Sequence, residues 1–182
     1  MHGATRGTAG QSPLRGMGER STVRLRDYGR RVTEDFWSEV AEVAWPSAPS
    51  GFRHGGSVPS ALRQLSDASD ETSANAAYHL MLDAIGHDHA GLLFPAALPA
   101  VPFLVRLALE AEPWARHAAI QVLIDVLCWA ADVTQETSVG ISRATLMAPV
   151  DLEREAIAAV AATATLPQLR VGASELLTEL RP

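Results

Sequence analysis

Two ten-residue stretches decide the fold prediction: AAYHLMLDAI at residues 76–85 and AAIQVLIDVL at residues 118–127. They align without a gap at an offset of 42, and each is mostly apolar with one aspartate near its end. The segments before them match as well, since VPSALR at 58–63 aligns with VPFLVR at 101–106 at an offset of 43. The sequence therefore predicts a repeated unit of one helix, a short turn and a second helix.

A weaker third copy follows at an offset of 54. Five positions recur: Pro113, Arg116, Ala119, Leu123 and Asp125 fall on Pro167, Arg170, Ala173, Leu177 and Glu179. The extra length lies in a loop rich in Thr, Ser and Gly, predicted over residues 132–148. A helix-pair period of about 40–47 residues is typical of α-solenoids, whose neighbouring pairs stack and share one core. Chance similarity between alanine-rich helices, and hence an irregular helical bundle, is the alternative.

The segment LLFPAALPAVPFLVRL at residues 92–107, preceded by a loop containing His and Gly, resembles the HEAT-like repeat proteins of actinobacterial type. The resemblance covers roughly residues 57–131. It implies an armadillo-type fold. Members of this class include scaffolds and immunity proteins, and also enzymes such as alkylpurine glycosylases and bilin lyases. The acidic body and the absence of lysine depart from the DNA-repair branch.

We therefore predict an all-α protein, a short HEAT-like α-α superhelix of about three helical pairs and about seven helices. Hydrophobic residues make up 47% of the 182 residues and aromatic residues only 5%, which favours one helical domain over a sandwich or barrel. The helices are predicted over residues 33–45, from 57 to about 65, over 72–85, 100–110, 114–131 and 149–163, and from 166 to the C-terminus.

Charge divides the chain into two parts. Residues 1–31 hold seven arginines and two acids, a net charge of +5, and are predicted to be a disordered basic leader. Residues 32–182, the predicted repeat domain, carry a net charge of −11. A body of that charge repels phosphate backbones, so nucleic-acid binding by the folded body is not expected.

The cysteine count and the hydropathy pattern exclude further classes. The single cysteine, Cys128, rules out an intrachain disulfide and, inside an apolar helix, is expected to be a small buried residue. No apolar run of about 18 residues predicts a membrane span, and no secretory signal is recognisable. We expect a cytoplasmic protein.

Catalytic patterns are missing from the sequence. It has no lysine, no nucleophile elbow and no phosphate-binding loop, so we predict that the protein is not an enzyme and needs no cofactor. His87 and His89 flank Asp88, with His79 two helical turns upstream, a set that could bind zinc. A structural, histidine-containing loop is the favoured interpretation, and no metal site is predicted.

Five residues are the candidate binding residues. They are Trp37, Trp114, His87, His89 and Arg116. Tryptophan is enriched at interface hot spots, and Trp114 falls in the first turn of the second helix of a repeat, near the edge of the stack. Packing in or beside the core is the alternative for each tryptophan.

These observations favour a non-catalytic protein–protein interaction module, a scaffold, an adaptor or an immunity or antitoxin-like binder. Its acidic surface would engage a protein partner with a basic patch, with no role for a membrane. One alternative is a HEAT-like enzyme of the glycosylase or lyase sort. Another is a structural protein that forms a homodimer end to end through the last helix, for which Leu176, Leu177 and Leu180 are the contact residues to test.

Overall fold

The protein is all-α, as predicted. The computed structural model describes residues 32–47, 57–87, 91–131 and 141–181, and these contain eight helices and one two-stranded sheet. The helices are α1 (Glu34–Glu42), α2 (Val58–Ser66), α3 (Glu71–Ile85), α4 (Ala97–Glu110), α5 (Pro113–Ala131), α6 (Arg143–Leu152), α7 (Arg154–Thr163) and α8 (Pro167–Glu179). The antiparallel strands are β1 (Gly86–His87) and β2 (Leu92–Leu93). None of these helices is long and apolar enough to cross a membrane.

Local signals place the starts of several helices. Asp70 caps α3, because its carboxylate accepts a hydrogen bond from the main-chain N–H of Ser73 at 2.8 Å and the Ser73 hydroxyl accepts one from the Asp70 N–H at 3.2 Å. This capping box satisfies two of the N–H groups that a helix start leaves without partners. Pro113 and Pro167 are the first residues of α5 and α8, the position at which proline costs least.

The helices pack as three successive pairs around α5. The pairs are α2 with α3, α4 with α5, and α7 with α8. The second helices form one layer, in which α5 packs against α3 and α8. The first helices of the pairs, α2, α4 and α7, form the opposite layer. There α4 contacts α2 and α7 and also α6, which belongs to no pair. This arrangement brings α3, α5 and α8 side by side on one face of the protein.

Helix α1 covers the outer side of the first-helix layer. Phe36 and Trp45 both contact the ring of Phe103 on α4, with ring centroids 5.4 and 5.9 Å apart. Arg106 lies over the Phe36 ring at 4.8 Å and forms an ion pair with Glu39 at 2.5 Å. These contacts hold α1 to the helix pairs, although α1 belongs to none of them.

The region after α5 differs from the prediction. The predicted loop over residues 132–148 contains the start of α6, and the predicted sixth helix is two helices that meet at Glu153. The side chain of Ser142 caps α6 by accepting from the N–H of Thr145 at 3.2 Å. Arg143 then donates to the main-chain oxygens of Leu127 on α5 and Glu179 on α8. This helix therefore depends on contacts distant in sequence, which loop composition does not reveal.

The sheet of β1 and β2 was not predicted. Gly86 ends α3 and pairs with Leu93, and His87 pairs with Leu92. Helix α4 also begins three residues earlier than predicted, at Ala97, so that Pro99 lies in its first turn and Pro102 inside it. Pro102 is exposed, so its ring lies on the solvent side of α4.

Candidate functional site

A stripe of half-buried side chains runs along α5 on the face that α5 shares with α3 and α8. Its members are Trp114, His117, Gln121, Asp125 and Cys128. No residue from Trp114 to Ala130 is fully exposed, whereas α3 and α8 both carry several exposed residues. The stripe therefore lies between its two neighbours, which cover part of it. We call this strip of surface the α5 groove, with α5 as its floor and α3 and α8 as its walls.

The α3 wall contacts the floor through Tyr78. Its hydroxyl donates a hydrogen bond of 2.5 Å to Oδ2 of Asp125. Nearer the start of α3, Glu71 is close enough to His117 for its charge to act on the imidazole. Tyr78 and Glu71 thus lie near α5 at two points about two helical turns apart. Other polar residues of α3 are exposed.

The α8 wall approaches the floor closely at Gly172. A methyl group at Gly172 would lie 2.9 Å from Nε2 of Gln121 and 3.3 Å from Cγ2 of Ile120, so the glycine allows the two helices to approach. Further along α8, the carboxylates of Glu175 and Glu179 act on Cys128. Arg143 reaches Glu179 from α6, with 3.4 Å between Nη2 and Oε2.

The three helices that form the groove carry a net negative charge. Helices α3, α5 and α8 carry five acidic residues against two arginines, one of which, Arg116, is buried. Burial raises the pKa of the Cys128 thiol, and Glu179 and Asp125 raise it further. The thiol therefore stays protonated near neutral pH, which disfavours its use as a nucleophile. Cys128 is half-buried rather than the fully buried residue expected from the sequence.

His117 is a half-buried residue of the groove floor whose pKa is changed by its surroundings. Its Nδ1 is buried and has no hydrogen-bond partner among the described residues, and its ring contacts Trp114 edge to face at 5.9 Å. Burial lowers the pKa of His117, while the charge of Glu71 opposes this shift. The imidazole is therefore neutral at physiological pH.

We expect this histidine to make stability depend on pH. A histidine in the unfolded chain titrates near pH 6.5, above the lowered pKa of His117 in the folded chain. The unfolded state then binds more protons, so the free energy of unfolding falls as the pH drops through about 6.5. Urea unfolding across that range should show a smaller pH dependence for His117→Gln than for the wild type. Equal pH dependence in both would contradict this assignment.

Two clefts lie at one end of the three helix pairs. The larger, about 630 Å³, is lined by residues that include Trp114, Glu112 and Leu166, and the smaller, about 350 Å³, by residues that include Trp37 and Glu112. The turns within the α2–α3, α4–α5 and α7–α8 pairs supply most of their linings. The structure thus places both candidate tryptophans at this end, and Trp114 also begins the groove floor.

The other candidate residues are not part of the groove. Arg116 is only 6% exposed, and its Nε donates to the main-chain oxygen of Ala108 at 3.1 Å, so it links α5 to α4 inside the core. This contact gives Arg116 a role in core packing, and its selection as a binding residue stays a prediction. His87 is half-buried in β1. His89 lies outside the described residues, as does the predicted leader.

Sequence reasoning missed most of the groove floor. Gln121 and Asp125 were not selected, yet with Trp114, His117 and Cys128 they mark one side of an otherwise apolar helix. Their recurrence every three to four residues was the sequence signal that could have identified this side of α5. Within the described ranges, no three His, Cys, Asp or Glu side chains are grouped as a metal site requires. Comparisons of the chain with protein-family models, curated proteins and solved structures found no match.

Proposed function

We propose that this protein is a non-catalytic protein-interaction module and that the α5 groove is its binding surface. The observation that carries the proposal is the half-buried stripe on α5, which leaves partly accessible side chains on the most central helix. Binding hot spots are enriched in tryptophan, and Trp114 lies at one end of the stripe.

Charge indicates the class of partner. Helices α3, α5 and α8 together have an excess of carboxylates, and the side chain of Glu175 is exposed and forms no hydrogen bond or ion pair with another described residue. A partner with a basic surface would gain from this charge, mainly through faster association at low salt. Scaffold, adaptor and immunity or antitoxin-like roles in the cytoplasm all fit a small acidic binder, and the HEAT-like solenoid remains the proposed architecture.

The proposal is tested by partner capture with matched variants. Full-length wild type, Glu175→Arg and Glu155→Arg would be used as bait in the source lysate. Glu155 is an exposed acid on α7, in the opposite layer, so its variant makes the same charge change outside the groove. We expect wild type and Glu155→Arg to retain one stoichiometric protein at about 0.1 M salt, where charges still act over about 10 Å. We expect Glu175→Arg to lose it.

Two results would count against the proposal. If Glu175→Arg retains the partner as well as Glu155→Arg does, the interface lies elsewhere. If the recovered material is nucleic acid that survives about 0.5 M salt, where exposed charges are screened within a few ångströms, the acidic groove is not the binding surface.

A further inference from the structure

The smaller of the two clefts lies where the predicted basic leader joins the helical part of the chain. Val32 is the first described residue, and it is half-buried and packs against the core. It also lines the smaller cleft, together with Asp67 and Glu112. Residue 31 is one peptide unit away from Val32, so its Cα lies within about 4 Å of the Val32 Cα. The leader therefore meets the described residues at this cleft.

The two turns beside the smaller cleft carry exposed carboxylates. Four acids lie in or next to the α2–α3 and α4–α5 turns: Asp67, Asp70, Glu110 and Glu112. None of the four forms an ion pair with another described residue. The guanidinium of Arg63 is placed instead over the ring of Trp37, with 4.2 Å between Cζ and the ring centroid. This end of the helix pairs therefore has negative charge that no described cation pairs with.

The nine residues before Val32 have the complementary charge. The sequence VRLRDYGRR at 23–31 contains four arginines and a single acid, Asp27, a net charge of +3. Arginine binds carboxylates through paired hydrogen bonds and also stacks on aromatic rings. Both kinds of group line the clefts, since Trp37 lines the smaller and Trp114 the larger. Leu25 and Tyr28 add apolar surface that suits the tryptophan rings.

The length of this segment matches the distance across the clefts. Packed helices lie about 8–10 Å apart, so three neighbouring pairs extend about 20 Å across this end. Nine extended residues span at most about 30 Å, which is enough to cross both clefts from Val32. A short tether also keeps a segment at an effective concentration of about millimolar near its site, so even a weak contact is populated.

We propose that residues 23–31 of this chain dock across the two clefts. Their arginines face Asp67 and Glu112, and Tyr28 lies in the larger cleft beside Trp114. Exposed ion pairs of this kind are individually weak and are screened by salt, so the contact is reversible. The occupant belongs to the same chain, so the docking does not depend on the partner proposed for the α5 groove.

Limited digestion of the full-length protein with trypsin tests the docking, because trypsin cleaves after arginine and needs access to the chain. The cleavage rate of the Arg24–Leu25 bond would be measured by mass spectrometry and divided by that of the Arg15–Gly16 bond, which lies outside the segment. When opening is fast, cleavage follows the undocked fraction, so a segment docked for about three-quarters of the time is cut about fourfold more slowly. We expect this protection at about 0.1 M salt and its loss at about 0.5 M.

Variants with reversed charges locate the contact. The double variant Asp67→Arg and Glu112→Arg should lose the protection, so its cleavage ratio should rise by about threefold or more. The matched control reverses Asp83, in the last turn of α3, and Glu155, in the first turn of α7, both exposed and at the helix ends away from the clefts. Its ratio should stay within about 1.5-fold of wild type, because these acids lie more than a screening length from the clefts. Circular dichroism would confirm that both variants fold.

Three results would overturn the inference. Equal cleavage ratios in wild type and both variants would mean that the acids of the clefts do not hold the segment. Protection that persists at about 0.5 M salt would mean that charge does not hold it. Protection that increases between about 1 and 100 µM protein would identify the leader of a second copy as the occupant, since docking within one chain is independent of concentration.

Discussion

Replacement of Leu176 by Glu is expected to unfold the protein rather than to separate a dimer. Leu176 is 0% exposed and lies in the core on α8, which packs against α5 and α7. Removal of a buried leucine alone costs about 2–5 kcal/mol, and an unpaired carboxylate in its place adds a desolvation cost of several kcal/mol. The sum approaches the entire stability of a typical domain, about 5–15 kcal/mol.

The matched control is Val171→Glu, on the same helix. Val171 is 67% exposed, so the same charge there should change the free energy of unfolding by no more than about 0.5 kcal/mol. Thermal unfolding followed by circular dichroism, together with light scattering on a sizing column, would separate the two outcomes. A folded, monomeric Leu176→Glu variant of a dimeric wild type would contradict the burial argument.

The burial of Leu176 changes how self-assembly should be tested. Leu176 and Leu180 were selected from the sequence as dimer contacts, but both belong to the core of the described chain. Leu177 is half-buried. Val171→Glu is therefore the better probe of an α8 interface, because it changes the surface of the helix without removing core packing.

Gly86→Ala is expected to have the second-largest effect. A methyl group there would lie 2.6 Å from the main-chain oxygen of Leu92 and 2.8 Å from Cζ3 of Trp129. The first contact is with backbone, so relief requires β1 and β2 to move apart, and overpacking of this kind costs about 1–3 kcal/mol. Urea unfolding should show a lower midpoint for Gly86→Ala, with an unchanged slope if the fold is retained.

Gly172→Ala is the matched comparison. The closest atom there is Nε2 of Gln121, the end of a flexible side chain that can move aside. Alanine also favours a helix interior over glycine by about 1 kcal/mol, so we expect little net change in stability. If Gly172→Ala destabilises as much as Gly86→Ala does, the identity of the neighbouring atom is not what determines the cost.

The sequence was most informative where structure depends on nearby residues. Asp70 and Ser73 form a capping box within four residues, and Pro113 and Pro167 begin their helices within one residue of the predicted starts. Helix α6 was missed because Arg143 is held by Leu127 and Glu179, which are distant in sequence. The two-residue strands were missed because they carry no periodic pattern.

The candidate site was predicted less well, because burial depends on how many helices cover each position. Arg116 and Arg170 occupy equivalent positions in the repeat alignment, yet Arg116 is buried and Arg170 is exposed. Helix α5 is covered on both sides, by α3 and α8, whereas α8 is the last helix of its layer among the described residues. Sequence equivalence therefore did not translate into equivalent exposure.

The central position of α5 has a consequence for the way the protein unfolds. In long repeat arrays each unit contacts only its neighbours, so an end unit can open while the others stay intact. Here α5 packs against α2 and α3 of the first pair, α4 of its own pair and α8 of the third pair. Opening any pair exposes apolar surface on the same helix, which couples the three pairs energetically. The chain should therefore melt as one cooperative unit, without a populated intermediate in which a single pair has detached.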